Sequence, residues 1–455
     1  MTPSPSLPPG PRLPSLLQSI LLVASPLPFL LRSHRRFGDV FTVRAAGFGT
    51  FVVIGGPEEV RAVFTASPEV LHAGESNAPL GPLLGERSVL LLDGAEHLRQ
   101  RRLLLPPFHG ERMRSWETVI ERATLSEVES WPVGRPFSLL PAMQEITLEV
   151  IVRAVFGVRE AARQAELAAA LRAVLEPLSG RVRVLLSVLS NGTIGDGGST
   201  KRFAARLAAV DELVYAEITA RRGFADLAAR EDVLSTLLLA RDEAGAPMTD
   251  SEIRDELVTL LVAGHETTAT ALAWAFERLL RLPGVRKELE RSIAAGETDY
   301  LDAVVDETLR LRPILSNLGR VVTEPWALGE HLLPAGVTLM PSISLLHRRA
   351  DAFPSPLSFR PERFLGSRKP DGYSWIPFGG GTRRCLGASF ARFEMRTIIR
   401  TVLGASTLEA TTRRPEKVAR RGVTLAPGRG ARAIQRRPPA SPAAARTAER
   451  TRVTA

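Results

Sequence analysis

The chain of 455 residues contains one cysteine, Cys385. It sits in Phe378-Gly379-Gly380-Gly381-Thr382-Arg383-Arg384-Cys385-Leu386-Gly387. A single cysteine excludes a disulfide framework, a zinc site built on several cysteines and an iron–sulfur cluster. Lone cysteines are most often inert packing residues, but the neighbours of this one point to chemistry. Three consecutive glycines free the backbone for unusual φ values and for close approach to a flat ligand. From Gly387 onward the residues read as the start of a helix. The sulfur therefore lies near a helix N-terminus, where backbone N–H groups and the macrodipole favour a thiolate. Arg383 and Arg384 add positive charge, and no catalytic histidine stands beside the thiol. An electropositive thiolate of this kind suits a metal ligand better than a nucleophile.

Three further clusters could carry or support chemistry. In Ala263-Gly264-His265-Glu266-Thr267-Thr268, glycine and threonine occupy a helix interior, where Gly costs about 1 kcal/mol relative to Ala. Gly264 opens space against the helix. The Thr267 hydroxyl is placed to compete for the Ala263 carbonyl four residues back. Glu266 beside Thr267 offers an acid and an alcohol for proton transfer. Taken alone, the cluster also suits an ordinary amphipathic helix with incidental threonines. Glu307 and Arg310 share a helix face at i, i+3, a common surface ion pair by itself. His97 and Arg101 lie one helical turn apart.

These groups need a scaffold, and the sequence predicts one that is mainly α with small β portions, in one large unit. The longest predicted helix runs from about Thr249 to Leu282. Thr249 and Glu252 suggest a capping box, and Pro283-Gly284 a stop. At ~1.5 Å per residue it would span about 45–50 Å, enough to cross a domain. Glu160–Leu175 and Phe203–Arg221 also read as helices, with a flexible loop at Ser190–Thr200 between them. Phe41–Gly56 reads as a β-hairpin, and strand-like pieces recur at Arg320–Leu328, Val337–Met340 and Gly422–Ile434. Residues 1–12 form a stiff Pro-rich segment, 13–435 the folded unit, and 436–455 a basic tail expected to be disordered. Leu16–Leu31 is apolar but interrupted. Its unbroken part, Ile20–Ala24, falls far short of the ~20 residues of a membrane span. A helix that packs on the core or brushes a membrane surface fits better, with no transmembrane anchor and no cleaved signal.

The spacing Phe-x-x-Gly-x-Arg-x-Cys-x-Gly is complete in the Cys385 loop, and with it the sequence resembles the cytochrome P450 family from about Leu7 to Ile434. The resemblance implies a fold holding haem b between the long central helix and the cysteine loop, with Cys385 as the iron ligand. Phe378, Gly379, Gly387 and Ala263 would lie against the haem. It places the helix groove over the face where O2, the co-substrate, binds. There it assigns Thr267 to hydrogen bonding and Glu266 to the proton relay. His265 falls on a variable position and reads as solvent-facing or structural. Arg363, in Phe359-Arg360-Pro361-Glu362-Arg363-Phe364, would join Glu307 and Arg310 in a buried structural triad. His97, Arg101, Arg320 and Arg383 would clamp the propionates, for which bidentate arginine pairing is suited.

By the same resemblance Leu84, Val89, Leu260, Ala263, Leu315, Asn317 and Thr424 line the substrate pocket. Its aliphatic character implies a hydrophobic small molecule: a fatty acid, terpenoid, steroid or polyketide. No G-x-G-x-x-G follows a strand, so electrons are expected from a separate ferredoxin or flavodoxin with its reductase. Arg99, Arg102, Arg384, Arg392 and Arg396 are candidates for a docking patch on an otherwise solvated basic face. The net charge is +10, of which residues 436–455 supply +4. No Lys/Arg stripe interleaves with aromatics, so no nucleic-acid partner is expected. The expected protein is a cytoplasmic monomer acting as a monooxygenase. A peroxide-driven relative or a haem-binding sensor is the alternative, and the Glu266–Thr267 pair argues against both.

Overall fold

The proline-rich start is extended, as its fixed φ requires, and lies along the first strand. Thr42 donates from its backbone N to the Pro9 carbonyl (2.9 Å) and from its hydroxyl to that of Pro8 (2.7 Å). The computed structural model describes residues 6–108, 116–158, 160–175, 197–366 and 370–437. Helices α1 (Ser15–Ala24) and α2 (Pro26–Phe37) follow, parted where Pro26 cannot continue the first. The predicted hairpin is β1 (Val40–Ala45) with β2 (Gly49–Ile54), antiparallel from Val40–Ile54 to Ala45–Gly49.

Next come α3 (Pro57–Thr65), β3 (Leu71–His72), α4 (Gly81–Leu84), α5 (Gly94–Leu104) and α6 (Glu117–Ser130). They lead to β4 (Pro136–Ser138), α7 (Leu139–Phe156), α8 (Ala161–Leu175), α9 (Gly197–Arg222) and α10 (Val233–Leu239). Of the loop expected at Ser190–Thr200, residues 190–196 lie outside the described residues. Gly197–Thr200 instead open α9, so the helix begins earlier than its composition suggests.

The central helix α11 (Asp250–Arg281) has 32 residues. Its capping box is formed: Glu252 N donates to Thr249 Oγ1 (3.2 Å) and Thr249 N to Glu252 Oε2 (2.7 Å). Its Leu257, Leu261, Leu272 and Phe276 are buried in the largest core cluster together with residues of α6 and α7. After α11 come α12 (Pro283–Ala294), α13 (Asp299–Leu311), β5 (Arg320–Val322), β6 (Trp326–Leu328), β7 (His331–Leu333), β8 (Thr338–Pro341) and α14 (Ile343–Leu346). The chain ends through α15 (Ala388–Ala405), β9 (Thr407–Ala410), β10 (Val418–Arg421), β11 (Thr424–Pro427) and β12 (Arg432–Arg437).

The strands form a five-stranded sheet ordered β1-β2-β8-β5-β3, a three-stranded sheet β4-β12-β9, and the pairs β6–β7 and β10–β11. In the large sheet only β2 and β8 run parallel. Arg436 and Arg437, expected to open the disordered tail, close β12 instead, and Arg436 pairs with Glu409 at 2.7 Å. The rest of that tail, 438–455, lies outside the described residues. Among those described, no helix is long and apolar enough to cross a membrane.

The Glu307–Arg310 pair is no surface contact. Both side chains are fully buried, joined bidentately at 2.6 and 2.8 Å. Arg310 also donates to the carbonyls of His347 and Pro356 (both 2.8 Å) and Ser358 (3.1 Å). Glu307 accepts from Arg360 N at 2.7 Å, with Arg363 Nε at 3.5 Å. Removing one partner strands a buried charge, which costs about 3–5 kcal/mol. The exposed pair Arg102–Glu243 is worth about 0–1 kcal/mol. Urea unfolding of Glu307→Gln and Glu243→Gln should therefore separate widely, and comparable losses would contradict this account.

Candidate active site

Cys385 precedes α15, and its backbone N donates to the Phe378 carbonyl at 2.9 Å, closing the loop. Gly379 and Gly381 take φ of +68° and +64°, which favour glycine. Close approach is also required. A Cβ at Gly380 would lie 2.2 Å from the Phe64 ring of α3, and one at Gly381 2.2 Å from the Phe64 carbonyl oxygen. At these two positions the absence of a side chain admits Phe64. Gly387 differs, because a Cβ there would meet no protein atom within 4 Å.

Cys385 has an exposed surface, yet burial dominates its titration. Both hold if the sulfur opens on an interior space rather than on bulk water. Burial pushes the thiol up, and the Gly387 N–H, Arg101 and Arg384 only partly offset it. Of the expected stabilising groups, Arg384 and a backbone N–H act on the thiol, and desolvation outweighs them. A thiolate here calls for a stronger cation, as a metal ion supplies.

Four cationic or imidazole groups converge nearby. His97 on α5 is buried, its Nδ1 without a partner. Burial and the charges of Arg383, Arg101 and Arg320 push it down to about 3. Arg320, buried at the start of β5, is pushed down to about 10 by burial and then by Arg383. Arg383 pairs with Asp93 and donates to the Val89 carbonyl at 3.1 Å. Asp93 was not singled out by sequence reasoning. It occupies the N-cap of α5, a legible position, but its carboxylate turns outward to the backbone N–H groups of Ala73, Gly74 (both 2.8 Å) and Glu75 (2.9 Å).

At the midpoint of α11, within an otherwise buried helix, Leu260 and Thr267 are half-buried and Ala263 is exposed. This accessible stripe borders the same core against which Phe378 and Leu386 of the cysteine loop pack. Thr267 Oγ1 donates to the Ala263 carbonyl at 2.6 Å, as the sequence predicts. Gly264 does not open a groove: a Cβ there would stand 3.0 Å from Ile151 Cδ1, so the space is filled by α7. His265 faces inward rather than to solvent, buried with Nδ1 at 3.0 Å from Thr147 Oγ1, which makes it structural. The Glu266 carboxylate accepts from Gln144 of α7 and lies 4.0 Å from Arg421 Nε of β10, turned to these rather than to Thr267. Burial raises its pKa. Gln144 gave no signal in the sequence.

Among the pocket candidates, Leu260, Ala263, Leu315 and Asn317 retain accessible surface, and Asn317 Oδ1 is without a hydrogen-bond partner. Leu84, Val89 and Thr424 are buried in protein contacts, Thr424 donating to the Arg421 carbonyl at 2.9 Å. The arginine patch is largely neutralised. Arg99 pairs with Asp242 and Glu252 (both 2.7 Å), Arg102 with Glu243, Arg392 with Asp306 (2.7 Å) and Arg396 with Asp302 (3.2 Å). Arg384 is exposed.

The family model for Cytochrome P450 matches residues 7–431. Cytochrome P450 135B1 of Mycobacterium tuberculosis is 43% identical over 437 residues, covering 95% of this chain and 92% of that protein. Cytochrome P450 138 of the same organism is 42% identical, covering 95% and 96%. The solved structure of the retinoic-acid-bound cyanobacterial CYP120A1 superposes with a TM-score of 0.81 at 24% identity, covering 95% of this chain and 99% of that one. The chain belongs to the cytochrome P450 family, haem-thiolate monooxygenases that use haem b and O2. The residues present fit that group: a thiol open to the interior, a neighbouring glycine with free space, and a cluster of guanidiniums beside an unpaired imidazole nitrogen, suited to two carboxylates.

Two predictions follow from the local geometry. Gly381→Ala should destabilise by at least about 1–2 kcal/mol, because an L-residue is strained at its φ and meets backbone. Gly264→Ala should lie within about 1 kcal/mol of the parent, helix propensity offsetting a small shift of Ile151. Equal losses in denaturant titrations would refute the distinction. Burial, and then the charge of Arg172, push His265 down to about 4 from its ordinary 6.5. Its neutral form is favoured by folding, so this contribution is full above pH 6.5 and is lost as pH falls towards 4, at up to ~1.4 kcal/mol per unit. His265→Gln should flatten the stability profile by about one proton over that window; an unchanged slope would place the linkage elsewhere.

Proposed function

We propose that this monooxygenase oxidises a hydrophobic small molecule held between the α11 stripe and the cysteine loop, with electrons delivered by separate redox proteins. The observation that carries the reading is the pairing of an accessible Cys385 with an accessible Leu260–Ala263–Thr267 stripe on one core. Cys385 is the residue that would hold the iron, and Phe378, Gly379 and Gly387 shape its loop. His97, Arg101, Arg320 and Arg383 would hold the haem carboxylates. When bound, the haem supplies the iron at which O2 is reduced and one oxygen atom passes to substrate, the thiolate favouring O–O cleavage.

The chain's own residues would manage protons and position. With its hydrogen committed to the Ala263 carbonyl, Thr267 Oγ1 offers lone pairs that accept from a donor on the stripe. Glu266, kept protonated to higher pH by burial, is a reservoir, and Gln144 and Arg421 set its position. Leu260, Ala263 and Leu315 would contact an aliphatic or isoprenoid body, and the unpaired Asn317 Oδ1 would accept from a substrate hydroxyl. Leu84, Val89 and Thr424 would back that layer. A fatty acid, terpenoid, steroid or polyketide satisfies this lining. A ferredoxin or flavodoxin would approach near exposed Arg384, its carboxylates competing with those already on Arg392 and Arg396.

The test is the reduced, CO-treated protein. A strongly red-shifted Soret band that Cys385→Ser abolishes supports the ligand assignment. A band at the position of histidine-ligated haem would overturn it. With an apolar substrate found by screening, Thr267→Ala and Glu266→Gln should each lower product formed per electron pair by about 100-fold or more, the range of lost proton-transfer groups, while leaving the CO band in place.

A further inference from the structure

A cavity of about 580 Å³ lies where the α1–α2 corner meets the end of α13, the start of α14 and the β10–β11 hairpin. Neither Cys385 nor the His97–Arg383 cluster nor Thr267 lines it. Its volume falls in the range of small-molecule sites. The α1–α2 side is mainly apolar, with Val23, Leu27 and Pro28. The rest of the lining includes Arg312, Arg348 and Arg420 with Ser316 and Ser344.

Arg312 stacks on Trp274 with 4.8 Å between guanidinium carbon and ring centroid, and its buried Nε has no hydrogen-bond partner. Glu277 acts on it electrostatically, yet is already paired with Arg278 and with Arg281 at 3.3 Å. Arg348 donates to the Ser344 carbonyl at 2.9 Å. Among the described residues, neither Arg312 nor Arg348 forms an ion pair with a carboxylate. Burial pushes both down to about 10, with repulsion from Arg278 on one and Arg310 on the other. Buried charge is costly unless matched, so two arginines that line one cavity without an ion-pair partner describe a site suited to an anion. The apolar part of the lining describes what the anion is attached to.

We infer that this cavity binds an amphiphilic monoanion, its carboxylate between Arg312 and Arg348 and its aliphatic body along Val23, Leu27 and Pro28. The site is separate from that of the oxidised substrate and does not depend on its identity.

The experiment is calorimetric titration of the haem-loaded enzyme with sodium dodecanoate and, in parallel, dodecanol, recording the Soret band at each addition. Dodecanoate should bind, and dodecanol at least about tenfold more weakly, since charge-assisted pairing carries the head group. Arg312→Gln should weaken dodecanoate by about tenfold or more. Leu27→Trp, which fills the cavity from its half-buried apolar side, should do the same and decides the matter if Arg312→Gln fails to fold. Both variants should keep the parent's CO band. Equal affinities for the two probes, no binding, or binding that shifts the Soret band and ignores both variants would each overturn the proposal, the last by placing the probe at the haem.

Discussion

The structure turns on a charge pair that water cannot reach. With Glu307 and Arg310 both fully buried, every lone pair and N–H of the two groups must be matched inside the protein, because an unmatched buried charge costs several kcal/mol. The matching groups are backbone atoms of a segment distant in sequence: the carbonyls of His347, Pro356 and Ser358 and the N–H of Arg360. That segment has little regular secondary structure, so the ion pair gives it a shape that helix or sheet ladders do not. The constraint continues through His347, which accepts from Ile376 N at 2.9 Å through Nε2. Ile376 in turn accepts from Gly379 N at 3.0 Å. A chain of short, buried contacts thus runs from α13 to the glycine run that carries Cys385.

The central helix answers a second demand, that a packed core contain an accessible surface at one place. Most of α11 is buried, so an exposed Ala263 in its middle must be produced by neighbours that stay away. Ile151 fills the opposite notch at Gly264 and Thr147 holds His265. Both anchor α11 on α7 and leave the Leu260–Ala263–Thr267 side uncovered. The Thr267 hydroxyl bonded to the Ala263 carbonyl shares an acceptor with the helix ladder, a known way of relaxing helix geometry locally. Small residues and a back-bonded threonine are costs in helix propensity, tolerated because capping and core burial of the flanking turns hold the helix.

What could be read beforehand follows the range of the signal. The Thr249–Glu252 box and the Pro283-Gly284 stop are local, and both ends of α11 fell within a residue of expectation. The hairpin at 40–54 is local too. The cysteine loop was legible because its residue types are unusual at fixed spacing, and so was the Glu307–Arg310–Arg363 set through its family pattern. What could not be read was which partner a residue meets. Gly380, Gly381 and Gly264 announced close approach, but not that Phe64 and Ile151 are what approach. Arg99, Arg392 and Arg396 announced charge, but not that Asp242, Asp306 and Asp302 neutralise it across tertiary contacts. Desolvation of Cys385 is likewise a property of the whole fold, which a list of its favourable sequence neighbours does not report.

One short stretch of chain walls the outer cavity and contributes candidates to the proposed inner site. Ser316 lines the outer cavity and bonds Ser344 at 3.1 Å, while Leu315 and Asn317, its neighbours, are among the candidates for the inner one. Leu425 ties this wall to the rest: its N–H donates to the Ile314 carbonyl at 2.8 Å, and its carbonyl accepts from Trp274 Nε1 at 2.7 Å. Trp274 is the ring on which Arg312 rests. The position of a guanidinium in the outer cavity is therefore set by the same tryptophan that fixes the β10–β11 hairpin, and the hairpin carries Arg421 to Glu266. A ligand that binds Arg312 would act on the inner site only by favouring one placement of that hairpin over another, and the hydrogen bonds through Leu425 are the physical route by which it could.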